Sequence, residues 1–314
     1  MGSPPSLLPV IRQADFALGP PDDPRRALLR RPFVPCLTEF VVVDEPDRAV
    51  YVTEAQAAEW DMTPEGVFAT AHDNLADAFR DLLEQRTGDG PQSTALAGMG
   101  APSSFGSLPL LDGWIAAWSA GWGGVRPVFA IAVQGDLLIA PEPDEPEAIQ
   151  ALLAGIENEW SEPTGRPISP VLYTLDAEGK PVPFDVPADH PARPAIRRSR
   201  GLLAHAVYDG QTKHLRAQAA FGDPFYAALQ RFSNPDTGAS FTLATWGLGD
   251  MVLLPEADWV AFASHDEQVF VRWEHVVREC GLVPEPGYHP ARYYAEDWPD
   301  AEVMTRLRAL AERP

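Results

Sequence analysis

Cysteine is nearly missing from this chain: Cys36 and Cys280 are the two in 314 residues, one in each half. One possible pair cannot make the disulfide framework of a small secreted domain, and it reads as two reduced thiols in a cytoplasmic protein. Long apolar runs are missing as well. None approaches the ~18 residues a membrane span requires, and the first residues lack a basic-then-apolar secretory leader. Positive charge is scarce: 24 Lys and Arg stand against 45 Asp and Glu, a formal net charge of −21. That balance repels phosphate backbones and favours solubility, so neither nucleic acid nor a membrane is expected as a partner. Catalytic signatures are absent too. There is no Gly-x-Ser-x-Gly elbow, His-Glu-x-x-His, Cys-x-x-Cys or Walker loop. Gly98-Met99-Gly100 and Gly247-Leu248-Gly249 lack the rest of a nucleotide fingerprint. No cofactor and no metal site follows from the sequence, and no residue is assigned as catalytic.

What is present describes a globular protein. Hydrophobic residues make up 45% and charged residues 22%, enough for a real core in each of two domains. The 33 prolines cluster between apolar runs and mark firm loops. Residues 1–30 read as a partly mobile leader, with a helix near Arg25–Arg30 and a basic cluster that includes Arg30 and Arg31. Such clusters in acidic proteins usually pair with nearby carboxylates.

From Phe40 to Leu83 the pattern is clearest. Phe40–Val43 and Val50–Val52 flank turn residues and read as a hairpin. Thr53 with Gln56 is a capping box, and Thr63-Pro64 places an N-cap before a proline at the first helical position. Val67, Ala71, Leu75, Ala78 and Leu82 then recur at helical spacing as one buried stripe. A helix from Leu108 to Ala120 carries Trp114 and Trp118, and Gly121-Trp122-Gly123-Gly124 ends it. Strands follow at Val128–Val133 and Leu137–Ala140, then a helix capped by Asp144 with Glu147, then a strand at Val171–Leu175.

Residues 181–200, rich in Pro and Arg, read as a linker between a domain at 31–180 and a second at 201–314. The second begins with a helix over Gly201–Phe221. Strands are expected at Tyr226–Phe232, Ser240–Thr245, Trp259–Ala263 and Val269–Trp273. A helix closed by Gly281, a strand at Tyr293-Tyr294 and a terminal helix after Asp300 complete it. Hairpins rather than regular strand–helix alternation predict an α+β fold: two mixed domains with antiparallel hairpins packed against helices.

Several polar groups are candidates for function. Trp246, Gly247, Gly249 and Asp250 follow a strand directly, with Glu256 and Asp258 close behind. Glycines there admit a ligand and the acids could bind it, so this loop is the expected ligand or partner site. His72 and Asn74 interrupt the helical stripe, as a base with an orienting amide or as a tie to a neighbouring loop. His265 sits with Asp266 and Glu267 at an expected hairpin tip, and His275 and Glu279 share a helix face.

One resemblance covers roughly residues 30–180. Val41-Val42-Val43-Asp44, Arg48–Thr53, Trp60 and the Ala71…Asn74-Leu75 helix carry it, followed in order by Phe129–Ala140 and Pro170–Tyr173. Together they resemble the bacterial YtpQ-like family, a domain of unknown function. The later segment Phe241–Phe262 is similar to ones that accompany such domains. The resemblance implies a bacterial cytosolic origin and a mixed scaffold, and no activity. The expectation is a non-enzymatic binding or interaction protein for an unidentified protein or small molecule. The alternative is a hydrolase or transferase using dispersed His and carboxylate residues, in which His72, Asp250 and His265 converge in an interdomain cleft.

Overall fold

A computed structural model of the chain describes residues 6–18, 27–45, 48–80, 94–96, 104–234 and 239–314. The chain divides into two compact units, 1–196 and 197–314. Both are mixtures of helices with mainly antiparallel sheets, so the fold is α+β.

The first unit opens with β1 (Leu7–Gln13), β2 (Arg30–Val34), β3 (Leu37–Glu45) and β4 (Arg48–Tyr51). β1 lies along one edge of β3, while β2 and β4 share the other, all antiparallel. Both faces of β3 are covered as well: Val41 joins one apolar cluster, and Phe40 and Val42 join another with Val10. Leu37 to Val42 is buried throughout, and its Phe40–Val42 part belongs to the apolar run legible in the sequence, while Thr38 and Glu39 are buried polar residues. Helices α1 (Glu54–Glu59) and α2 (Pro64–Ala78) follow. Thr53 and Gln56 close the capping box on α1, and Thr63 accepts from the Gly66 N–H on α2. Val67, Phe68 and Ala71 pack with Leu7, Val41 and Val52 into one core. The expected stripe is shorter at its end: Ala78 is exposed, and Leu82 lies outside the described residues.

The second sheet of this unit runs β5 (Thr94–Leu96), β7 (Leu137–Pro141), β6 (Pro127–Ala130), β8 (Tyr173–Leu175) and β9 (Pro181–Pro183). Before β6, a 3-10 turn at Phe105–Leu110 leads to α3 (Trp114–Gly121). The single helix expected from Leu108 is thus broken. Gly113 sits at φ +71° between the two pieces, a conformation that glycine adopts without strain. α4 (Pro146–Ser161) buries Ile149, Leu153 and Ile156 against Val128, Ala130 and Leu172. Asp144 does not cap it. Glu145 holds the cap position without a side-chain bond, because Pro146 sets the first helical residue.

Two expectations about domain edges are corrected. The leader contains β1, whose Pro9 is tolerated because among the described residues this strand pairs on one side alone. Residues 181–200 form no linker: β9 occupies their start and α5 (Arg193–Gln218) their end, and the division into units falls inside α5. Prolines 181 and 183 suit an edge strand and Pro194 a first helical turn, so the same composition serves regular structure.

The second unit holds two four-stranded sheets. One is β11 (Gln230–Ser233), β12 (Ser240–Gly247), β14 (Trp259–Ala263) and β15 (Gln268–Arg272); the other is β10 (Phe225–Tyr226), β13 (Val252–Pro255), β17 (Arg292–Ala295) and β16 (Pro284–Glu285). The strand expected over Tyr226–Phe232 is divided between them. β12 and β14 are parallel because the chain visits β13 in the other sheet on the way. α6 (Trp273–Cys280) ends at Gly281 in the left-handed conformation, and α7 (Ala301–Ala309) is capped by Asp300. The two sheets and the helices share one core built from Trp246, Phe262, Leu254, Val271, Val276 and Leu307, among others.

Candidate functional site

Among the described residues, Glu39 is the one buried acid, at 2% exposure. It sits in mid-strand on β3, where a carboxylate without partners would be strongly unfavourable. Its two oxygens are both engaged. Arg31 Nε on β2 donates to Oε2 at 2.7 Å, and His72 Nε2 on α2 lies 2.7 Å from Oε1. Strand pairing puts Arg31 directly opposite Glu39, and the α2 register brings His72 over the same point. A carboxylate can only accept, so the hydrogen of His72 resides on Nε2. The Arg31 guanidinium also stacks 4.3 Å from the centre of the buried Phe68 ring.

This triad forms one wall of a cleft of about 1010 Å³. The opposite walls come from the 3-10 turn and start of α3 (Leu110, Asp112, Ile115) and from the β8–β9 hairpin (Asp176, Lys180, Val182). The lining mixes apolar surface with a few fixed polar groups, as ligand sites do. Asn74 takes no part in it. Its amide donates to the Leu7 carbonyl at 3.0 Å and ties α2 to β1, a strand rather than a loop.

The loop singled out in the second half is differently placed. Trp246 is 1% exposed, packed on Phe262 at 5.4 Å between ring centres and on Trp298 at 6.1 Å. Its indole N–H reaches the Asp250 carbonyl at 3.4 Å. Gly249 has φ +83°, which favours glycine, and the Gly247 carbonyl accepts from the Asp250 N–H at 3.2 Å, so both glycines lie in the turn from β12 to β13. The Asp258 carboxylate accepts from Arg197 Nη2 at 2.6 Å and from the Thr242 N–H at 2.7 Å, clamping α5, β12 and β14. Asp250 and Glu256 remain exposed. Burial of its head, then Asp258, raises the Glu256 carboxyl above its usual range although the residue as a whole is exposed. The six candidates do not form one site: Asp258 is consumed by the fold, Trp246 is a core residue that also lines a small groove with Glu279 and Cys280, two glycines lie in a turn and two acids face solvent.

His265 is an exposed tip between β14 and β15, as expected. It lines a groove of about 490 Å³ with Leu248, Ser264, Asp266, Trp298 and the Glu267–Arg308 pair. The His275–Glu279 face offers no metal seat, because Arg278 and Arg306 occupy the Glu279 carboxylate at 3.0 and 2.8 Å. Among the described residues no three His, Cys, Asp or Glu gather as metal ligands would, and no helix is long and apolar enough to cross a membrane.

Cys280 lines a smaller groove in the second unit with Glu279 and Tyr294. Burial first, and Glu279 second, push its thiol up to about 11. At pH 8 its thiolate fraction is then about a hundredfold below that of an ordinary thiol. Iodoacetamide labelling followed by mass spectrometry is expected to be slow at pH 8 and to keep accelerating up to about pH 11. A rate that levels off near pH 9 would contradict this environment.

Comparison with protein-family models, with curated proteins and with solved structures finds no match to the chain.

Proposed function

We propose that this chain is a non-enzymatic binding protein whose ligand seat is the cleft of the first unit. The observation that carries the reading is Glu39: a buried carboxylate, held by Arg31 and His72, that opens onto a ligand-sized space. Burying a charge at mid-strand is costly, and the cost is offset only by well-made partners. Placing this expense on a cleft wall rather than in a sealed core suits recognition. His72, the histidine that lines the cleft, spends Nε2 on Glu39 instead of on the open space, which favours binding over hydrolysis or group transfer. The alternative required His72, Asp250 and His265 to converge. His72 belongs to the first unit and the other two to the second, and no observation favours that reading. The likeness to the YtpQ-like family and a bacterial cytosolic origin are parts of the same proposal.

The test is a plug. Ala69 is an exposed α2 residue lining the cleft, so Ala69→Trp projects a bulky ring into the space beside Arg31 and His72 without touching the core. Small molecules retained by the full chain from a bacterial extract, identified by mass spectrometry, are expected to be lost from this variant while its melting temperature stays within a few degrees. Undiminished retention by the plugged protein would show that the ligand sits elsewhere.

A further inference from the structure

The chemistry of the cleft wall also selects the kind of ligand, provided that the cleft is the ligand seat proposed above. The triad is asymmetric. Glu39 is closed off at 3% side-chain exposure, whereas the Arg31 side chain is 42% exposed and lines the cleft. The ion pair therefore presents its positive end outward. Its geometry is fixed from two sides, since Nε donates to Glu39 and the guanidinium lies on Phe68, while Nη2 stands 3.2 Å from His72 Nε2. That last contact is informative. Since His72 Nε2 carries a hydrogen donated to Glu39, it cannot also accept from Nη2. Two N–H groups then face one another, and the Nη donors of Arg31 have no acceptor among the described residues. They are held ready for one, next to apolar wall from Phe33, Leu110, Ile115 and Val182.

We infer that the cleft takes a small molecule bearing a single carboxylate on an apolar body, with Arg31 as the group that reads the carboxylate. A guanidinium with its Nε already engaged still offers paired Nη donors that match two carboxylate oxygens, and pre-ordering it removes the entropy cost of doing so at binding. A phosphate, with more charge, fits less well. Besides Arg31, Lys180 is the other cation in the lining, and the lining carboxylates outnumber the two. A cationic ligand would depend on Glu65, Asp112 and Glu178, all exposed and screened by water, and on the half-buried Asp176, whose Oδ1 already accepts from the Glu178 and Lys180 N–H groups, while Glu39 stays saturated.

The experiment is a matched panel on the full chain: 3-phenylpropionate, 3-phenylpropylamine and 3-phenylpropanol, each titrated into isotope-labelled protein and followed by amide shifts. The carboxylate is expected to perturb cleft residues of β2, α2 and the β8–β9 hairpin at concentrations about tenfold below the other two. Arg31→Lys keeps the charge but not the fork, and should weaken it about tenfold with the fold intact, as expected for losing one of two charge-assisted hydrogen bonds. An amine or alcohol that matches or beats the carboxylate in the cleft overturns the carboxylate assignment and leaves the ligand seat standing. If no member of the panel moves cleft resonances the inference fails, and the Ala69→Trp experiment judges the seat separately. Should Arg31→Lys fold poorly, the panel on the native protein still decides.

Discussion

Replacing Arg292 with methionine is expected to destabilise the second unit by about 2–5 kcal/mol, the net of several buried acceptors left without a donor and the relief of one desolvated cation. Arg292 lies on β17 with no exposed surface. Burial lowers its pKa to about 10, yet it remains a cation at neutral pH. Its partners are unusual in being neutral. Nε donates to Gln211 Oε1 at 2.5 Å, Nη1 to the Ala227 and Leu253 carbonyls at 3.0 and 3.1 Å, and Nη2 to Thr212 Oγ1 at 2.6 Å and the Tyr208 carbonyl at 3.5 Å. All five N–H groups are used, and they join α5, β13 and β17 at one point. Losing the cation relieves the desolvation behind its lowered pKa, about 3 kcal/mol on the usual conversion of pKa to energy. Against that, several buried acceptors lose their donor at about 1–3 kcal/mol each. The second effect is larger, so the sign is destabilising. Urea denaturation followed by circular dichroism measures it. A loss under about 1 kcal/mol would mean that water or side-chain rearrangement replaces the guanidinium. Arg292→Lys should fall between, since an ammonium has three donors for five acceptors.

The parts of the fold that were legible in the sequence are those written in neighbouring residues. Thr53 with Gln56 and Thr63 with Pro64 fix their helix starts through bonds that span three residues, and both caps form as expected. The β3–β4 and β14–β15 hairpins, and the Gly281 stop, are local in the same sense. What escaped was decided at a distance. β1 has a proline in its middle and becomes a strand because β3, about thirty residues on, accepts it as an edge. β13 is hidden because it continues the Gly249 turn without a break in composition and pairs with β17 some forty residues later. Pro181 to Pro183 and Arg193 onward look like linker because proline content alone cannot distinguish an edge strand or a first helical turn from a loop.

The same division holds for the site. His72 stands out because it interrupts an apolar stripe, but its partner 33 residues away does not. Glu39 is visible as a lone acid within Leu37–Val43, and a charge in a strand buried on both faces must be paired. That signal, joined to the basic Arg30-Arg31 pair upstream, is the one that could have located the triad. The second-half loop drew the expectation instead, since glycines, a tryptophan and acids close together look like a ligand loop. The physical content differs. In the triad the polar groups meet through tertiary structure and line a cleft; in the loop they meet through sequence proximity, and each is spent on local geometry.

Trp246 makes that difference measurable. If it were a ligand-stacking residue, truncation would leave a folded protein that binds less. Because it fills the space between Phe262 and Trp298 at 1% exposure, Trp246→Ala is expected instead to cost about 3–5 kcal/mol, the range for removing a buried aromatic and leaving a cavity. The indole hydrogen bond to Asp250, at 3.4 Å, adds little. Trp246→Phe keeps most of the volume and should cost less than half as much. Guanidinium denaturation, with near-ultraviolet circular dichroism to report the aromatic packing, distinguishes the cases. Asp250→Ala provides the contrast: its side chain is exposed at the turn, so stability should change by no more than about 0.5 kcal/mol. Near-equal effects of the two alanine variants on stability would place Trp246 outside the core. A large loss for Trp246→Ala with cleft binding retained in Trp246→Phe would assign the tryptophan to folding and leave recognition with the first unit.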